Sequence, residues 1–221
     1  MQPIQTVLFD LDGTLLDTAP DLAYALNVLR RAHEMPELPL QTIKPSVGDG
    51  SKTMLKLAFD IDENHANYKI LLDAFLNTYD TCLARETALF PGMEQVLSFL
   101  EEKKIPWGIV TNKPARFTHG ILDALNLSRR TKCVVSGDSL NERKPHPAPI
   151  LHACQLLEAK PETTIYVGDA RTDMMASKAA GARFIAALYG YISAEEDPYS
   201  WQADGYIKSP LEIMQWVNQS S

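Results

Sequence analysis

The sequence predicts an α/β fold in which a doubly wound parallel sheet carries a helical insert. Short apolar runs rich in β-branched residues recur along the chain, and stretches with helical periodicity separate them. About seventy residues of helical periodicity alone follow the first run, which is longer than a crossover connection requires. With 221 residues, 45% of them hydrophobic, the chain can bury such a core without disulfide bonds.

Six apolar runs are predicted to form the strands of the sheet. Most of them end in a polar or small residue, as expected where a buried parallel strand reaches the edge of the sheet. The runs cover residues 7–9, 107–110, 133–135, 164–167, 184–188 and 205–207.

The predicted helices of the core lie between these strands, where hydrophobic residues recur every three or four positions. Three of them follow a proline, which favours the first turn of a helix, and the last stops at Gly181. These helices cover residues 93–100, 117–125, 150–157 and 174–180.

Residues 18–88 are predicted to form the helical insert, and residues 1–17 and 89–221 the α/β core. Two short linkers are expected to join the two parts. Within the insert, hydrophobic stripes predict helices over residues 22–29, 47–59 and 68–83.

Composition excludes several classes of function. The net charge of −7 and the absence of a basic cluster argue against a nucleic-acid partner. The three cysteines form no C-x-x-C pair, which argues against structural zinc or a disulfide framework. No signal peptide or membrane-spanning run is visible, so we expect a cytoplasmic protein without a membrane partner.

Two carboxylates, Asp10 and Asp12, stand where the first apolar strand ends. Residues two apart on a strand point to the same side, and parallel α/β sheets place ligands at this edge. Gly13 then permits a tight turn with positive φ. Two like charges so close need a cation, or one must be protonated. A surface turn rich in aspartate is the alternative interpretation.

A second acidic pair, Asp169 and Asp173, follows the strand at residues 164–167. Capping of the next helix is the simplest alternative role for these residues. Together with the first pair, however, they form a cluster of hard oxygen ligands suited to Mg²⁺.

Thr111, Asn112 and Lys144 are candidates for binding an anion. A hydroxyl, an amide and the N–H groups of a following helix can hold a phosphoryl oxygen. Capping of that helix is the alternative role for Thr111 and Asn112. Flanking prolines stiffen the loop around Lys144 and fix where its ammonium group points, whereas a lone loop lysine is more often solvated.

The order and spacing of these four motifs resemble the haloacid dehalogenase superfamily. The match extends over essentially the whole chain, and residues 18–88 resemble the C1-type cap of that family. Segments such as Phe90-Pro91-Gly92 and Tyr189-Gly190-Tyr191 are most similar to its phosphoglycolate phosphatase branch.

The resemblance implies a role for each motif residue. Asp10 is the expected nucleophile that forms an aspartyl phosphate, and Asp12 the expected general acid and base. Mg²⁺ is expected to bind the side chains of Asp10 and Asp169 and the backbone carbonyl of Asp12. Asp173 is expected to orient ligands next to the metal. The phosphoryl oxygens are expected to bind to Thr111, Asn112 and Lys144.

The substrate implied by the resemblance is a small phosphate ester, with 2-phosphoglycolate as the first choice. A sugar or amino-sugar phosphate, or phosphomutase chemistry on the same fold, remains an alternative. Residues Gly48, Asp49, Gly50 and Lys52 of the insert are candidates to reach the substrate, or they simply start a helix. A monomer or homodimer is expected. A phospho-receiver module is a further alternative, but such modules lack an insert of this length.

Overall fold

The computed structural model describes residues 3–218 and confirms the predicted fold class. Six parallel strands form one sheet in the order β5-β4-β1-β6-β7-β8. Their bounds are β1 Thr6–Phe9, β4 Trp107–Val110, β5 Cys133–Val135, β6 Thr164–Gly168, β7 Arg183–Ala187 and β8 Gly205–Ile207.

Strand β1 lies at the centre of the sheet and is buried along its whole length. Phe9 pairs with Ile109 of β4 on one side and with Val167 of β6 on the other. Because all three strands run in parallel, the residues that follow them meet at one edge of the sheet.

Five helices of the described chain belong to the core. They cover the faces of the sheet, so two hydrophobic clusters form, one on each side. The helices are α5 Met93–Glu102, α6 Ala115–Ala124, α7 Ala148–Leu156, α8 Arg171–Ala180 and α9 Ile213–Asn218.

The helical insert contains α1 Ala19–Ala32, α2 Leu40–Val47, α3 Ser51–Phe59 and α4 Tyr68–Asp80. The two linkers on either side of it pair as a short antiparallel ribbon that the sequence did not predict. Strand β2, Leu16–Asp17, faces β3, Ala88–Leu89, in this ribbon. The insert therefore leaves and re-enters the core at neighbouring positions.

The prediction of one helix over residues 47–59 is wrong. The chain turns at Gly48-Asp49-Gly50 and starts α3 afresh, and Gly50 has a φ of +82° that ends the helical path. The preceding helix, α2, was also missed, because Pro45 lies within it and proline disfavours helix interiors. This turn brings residues 48–50 to the surface of the insert that faces the core.

In the part of the chain between residues 3 and 218, no helix is both long and apolar enough to cross a membrane.

Candidate active site

The carboxyl edge of the sheet brings the two acidic pairs together. One carboxylate oxygen each from Asp10, Asp169 and Asp173 lie within 4.8 Å of one another. Asp10 follows β1, while Asp169 follows β6 and Asp173 lies in the first turn of α8. Adjacent parallel strands thus deliver the cluster that the sequence predicted at this edge.

Asp169 is held by contacts to both of its oxygens. The hydroxyl of Thr14 donates to Oδ1 at 2.8 Å, and the backbone N–H of Tyr191 donates to Oδ2 at 2.7 Å. Gly13, at φ +81°, and Gly190 lie so close to this carboxylate that a Cβ on either would collide with it. The carboxylate is therefore fixed in position on a side chain only 4% exposed.

Lys144 is buried between the two acidic groups. Its Nζ donates to Asp10 Oδ1 at 2.8 Å and to Asp173 Oδ1 at 2.7 Å. The carbonyl oxygen of Val110 and the hydroxyl of Tyr166 lie 2.9 Å and 2.7 Å from the same nitrogen. Because its side chain is 2% exposed, this ammonium group is a fixed counter-charge rather than a solvated one.

Asp173 contributes to the fold as well as to the cluster. Its Oδ2 accepts a hydrogen bond from the backbone N–H of Ala170 at 3.0 Å, which satisfies a donor at the start of α8. Its Oδ1 accepts from Lys144 and from the hydroxyl of Tyr166. Both carboxylate oxygens of Asp173 thus accept hydrogen bonds from the protein, which is typical of a residue that orients its neighbours.

Asp12 is not one of the three clustered carboxylates, although the sequence predicted a cluster of four. Its Oδ1 accepts from the hydroxyl of Thr18 at 2.5 Å and from the Nζ of Lys113 at 2.9 Å. Sequence reasoning missed Lys113, although it stands directly after Thr111-Asn112 at the end of β4. That position was the available signal, since a residue there reaches the same sheet edge.

Thr111 and Asn112 both line the site, but they differ in what their side chains do. The amide of Asn112 exchanges hydrogen bonds with the backbone of Lys144, with Nδ2 donating at 2.9 Å and Oδ1 accepting at 3.0 Å. The side chain of Asn112 therefore holds the loop of Lys144 in place. Any contact between Asn112 and an anion would be made by its backbone. Thr111 is 4% exposed and accepts from the N–H of Lys113 at 3.1 Å.

A cavity of about 440 Å³ lies between this edge of the sheet and the insert. All four predicted insert residues line it, namely Gly48, Asp49, Gly50 and Lys52. Lys52 forms an exposed ion pair with Glu63 at 2.5 Å, so it is already partnered within the insert. Apolar side chains also line the cavity, among them Met54, Phe75 and Phe117.

The donor set fits a divalent cation. Burial, reinforced by the charge of Asp173, raises the pKa of Asp10 to about 7 despite the nearby Lys144. Burial, together with the charge of Asp10, raises the pKa of Asp169 well above its usual range. Four carboxylates lie at this edge, and two ammonium groups pair with them, which leaves a formal charge of −2. A hard divalent cation would balance that charge through oxygen ligands.

We expect the metal-free protein to lose stability as the pH rises from about 5 to about 7.5. Because the pKa of Asp10 is raised in the folded state, the folded protein holds a proton that the unfolded chain has released. The stabilisation is present at low pH and is lost as the pH passes through 7. Urea unfolding in EDTA measures this slope.

Saturating Mg²⁺ and, separately, the substitution Asp10→Asn are expected to flatten the slope, because the cation would favour the ionised form of Asp10 and the substitution removes the titrating carboxyl group. An increase in stability with pH across the same range in EDTA would contradict this account.

The fold and the site together define a hydrolase of the haloacid dehalogenase type. The family model for haloacid dehalogenase-like hydrolases matches residues 7–187, and the chain belongs to this family. Phosphatases of this family generally use a divalent metal, which agrees with the aspartate cluster.

Two curated relatives carry different names. A phosphoglycolate phosphatase of Xanthomonas campestris pv. campestris (strain 8004) is 40% identical, covering 95% of this chain and 94% of the relative. An N-acetylmuramic acid 6-phosphate phosphatase of Pseudomonas putida is 34% identical, covering 98% and 97%.

One solved structure has the same overall fold as this chain. The crystal structure of a predicted phosphoglycolate phosphatase from Haemophilus somnus superposes with a TM-score of 0.86 at 26% identity, covering 98% of this chain and 99% of that one.

Proposed function

We propose that the protein is a Mg²⁺-dependent phosphomonoesterase that acts on a small phosphorylated metabolite through an aspartyl phosphate on Asp10. One observation carries the proposal: the buried carboxylate of Asp10 lies in a cavity beside a fixed ammonium group and two further carboxylates. The family membership and the names of the relatives support the same reaction class.

In the first step, a carboxylate oxygen of Asp10 attacks phosphorus and the ester P–O bond breaks. Lys144 and the backbone at Asn112 stabilise the charge on the transferring phosphoryl group, and Lys144 also orients Asp10 at 2.8 Å. Asp12 gives a proton to the leaving oxygen and later takes one from the water that hydrolyses the acyl phosphate.

Asp10, Asp169 and the backbone carbonyl of Asp12 would hold Mg²⁺, which would supply Lewis-acid stabilisation as one anion approaches another. Asp173 contributes by keeping Lys144 in place. We propose that residues 18–88 act as a cap, which excludes bulk water from the cavity and selects the leaving group.

The first-choice substrate is 2-phosphoglycolate, because the relatives with that name reach 40% identity. An amino-sugar phosphate is the second candidate, and the size of the cavity favours it. A volume of about 440 Å³, lined in part by apolar side chains, exceeds what a two-carbon acid fills, whereas a sugar ring with a substituent would use it.

The test is a panel of kcat/KM values with Mg²⁺, comparing 2-phosphoglycolate, N-acetylmuramic acid 6-phosphate, hexose phosphates and pyrophosphate. Release of inorganic phosphate from at least one phosphate ester supports the phosphatase, and the ranking identifies the substrate. Conversion of one sugar phosphate to its isomer without phosphate release would point to a phosphomutase. No turnover of any ester would contradict the proposal.

A further inference from the structure

Lys113 contacts the core and the helical insert at once. Its Nζ lies 2.9 Å from Asp12 Oδ1 in the core and 4.8 Å from the ring centroid of Tyr79 in α4. The side chain is 6% exposed. An ammonium group over a desolvated aromatic face is stabilised electrostatically by the ring.

Tyr79 is fixed by its own surroundings. Its side chain is 1% exposed and packs against Phe117 with ring centroids 5.2 Å apart. The hydroxyl forms no hydrogen bond of ordinary geometry with the described residues, while the ammonium group of Lys113 lies over the ring and interacts with the same side chain electrostatically. The position of Lys113 thus depends on where α4 lies.

We propose that Lys113 is a positioning residue that holds the carboxyl group of Asp12 for proton transfer to the leaving oxygen, and that Tyr79 links this contact to the placement of the insert. The inference rests on the phosphatase function proposed above. Lys113 and the hydroxyl of Thr18 both donate to Oδ1 of Asp12, and Asp12 lines the cavity.

Proton transfer from Asp12 accompanies cleavage of the ester bond. As the ester P–O bond breaks, its electron pair stays on the leaving oxygen and the proton of Asp12 moves to that oxygen. Asp12 becomes a carboxylate beside the ammonium group of Lys113, which stabilises the new charge.

The test compares two leaving groups in the variant Lys113→Met. An alkyl ester needs a proton on its leaving oxygen, whereas p-nitrophenyl phosphate releases a stable phenolate and needs little help. The alkyl substrate is the better of 2-phosphoglycolate and N-acetylmuramic acid 6-phosphate for the wild-type protein. We expect kcat to fall about 10²-fold on the alkyl ester and less than about 3-fold on p-nitrophenyl phosphate.

Companion variants separate positioning from folding. Lys113→Arg retains the charge and is expected to recover most of the alkyl-ester activity. Tyr79→Leu removes the ring and should reproduce the leaving-group dependence in weaker form. Lys103→Met is the matched control, since Lys103 also lies over a ring, that of Phe99 at 5.9 Å, but on an exposed helix end.

The outcomes distinguish the two proposals. Equal losses on both substrates, or no loss on the alkyl ester, would overturn the role of Lys113 while leaving the phosphatase intact. A wild-type protein that hydrolyses none of the three esters would overturn the proposed function itself.

Discussion

Asp10→Asn abolishes turnover, with an expected loss of about 10⁴-fold or more in kcat, because an amide cannot attack phosphorus. The same change removes a carboxylate whose pKa burial has raised to about 7. At pH 8 in EDTA the variant should therefore unfold at the same or a higher temperature than the wild-type protein. Lys144 keeps its contacts to Asp173, Tyr166 and Val110.

Phosphate release and thermal unfolding are measured on the same preparation. Asp73→Asn, an exposed change on α4, serves as the control and should alter neither quantity. In the wild-type protein, borohydride reduction during turnover should convert Asp10 to homoserine, which mass spectrometry detects. Near-normal turnover by Asp10→Asn would refute the nucleophile assignment.

Lys144→Met should reduce activity by about 10³-fold or more and also destabilise the metal-free protein by about 3–5 kcal/mol, since it leaves Asp10 and Asp173 buried without their counter-charge. Loss of the ammonium group raises the pKa of Asp10 further. The destabilisation relative to the wild-type protein should therefore increase with pH above about 7, where wild-type Asp10 has lost its proton and Asp10 of the variant still holds one.

Urea unfolding in EDTA at several pH values measures this effect, and kinetics with Mg²⁺ measure the loss of activity. Lys132→Met, an exposed change beside β5, is the matched control. If Lys144→Met were as stable as the wild-type protein at pH 8, the ammonium group would not be the counter-charge that the geometry indicates.

The fold was predictable because its signals are local. Each buried strand is a short β-branched run, and the polar residue that ends it lies at the edge of the sheet. Since parallel strands share that edge, the sequence alone indicated that Asp10 and Asp169 would be neighbours. The structure places them within one cluster.

What the sequence could not predict depends on contacts between distant segments. Lys113 meets Tyr79 only because α4 folds back over the end of β4. Tyr191 donates its N–H to Asp169 and its hydroxyl to Asp17, a connection across more than 170 positions that no local pattern encodes. The β2–β3 ribbon is two residues per strand, too short for a periodicity signal.

The central place of β1 has a consequence for how the chain folds as it is made. Val7 pairs with Trp107 and Thr6 with Thr164, partners about 100 and about 160 positions later, so closing these loops is entropically costly and favours slow folding. At about 5–20 residues per second, synthesis leaves β1 without its β6 partner for roughly ten seconds or longer. The apolar strand that delivers Asp10 is thus the first made and among the last completed, and it is the segment we expect to need protection from aggregation on the ribosome.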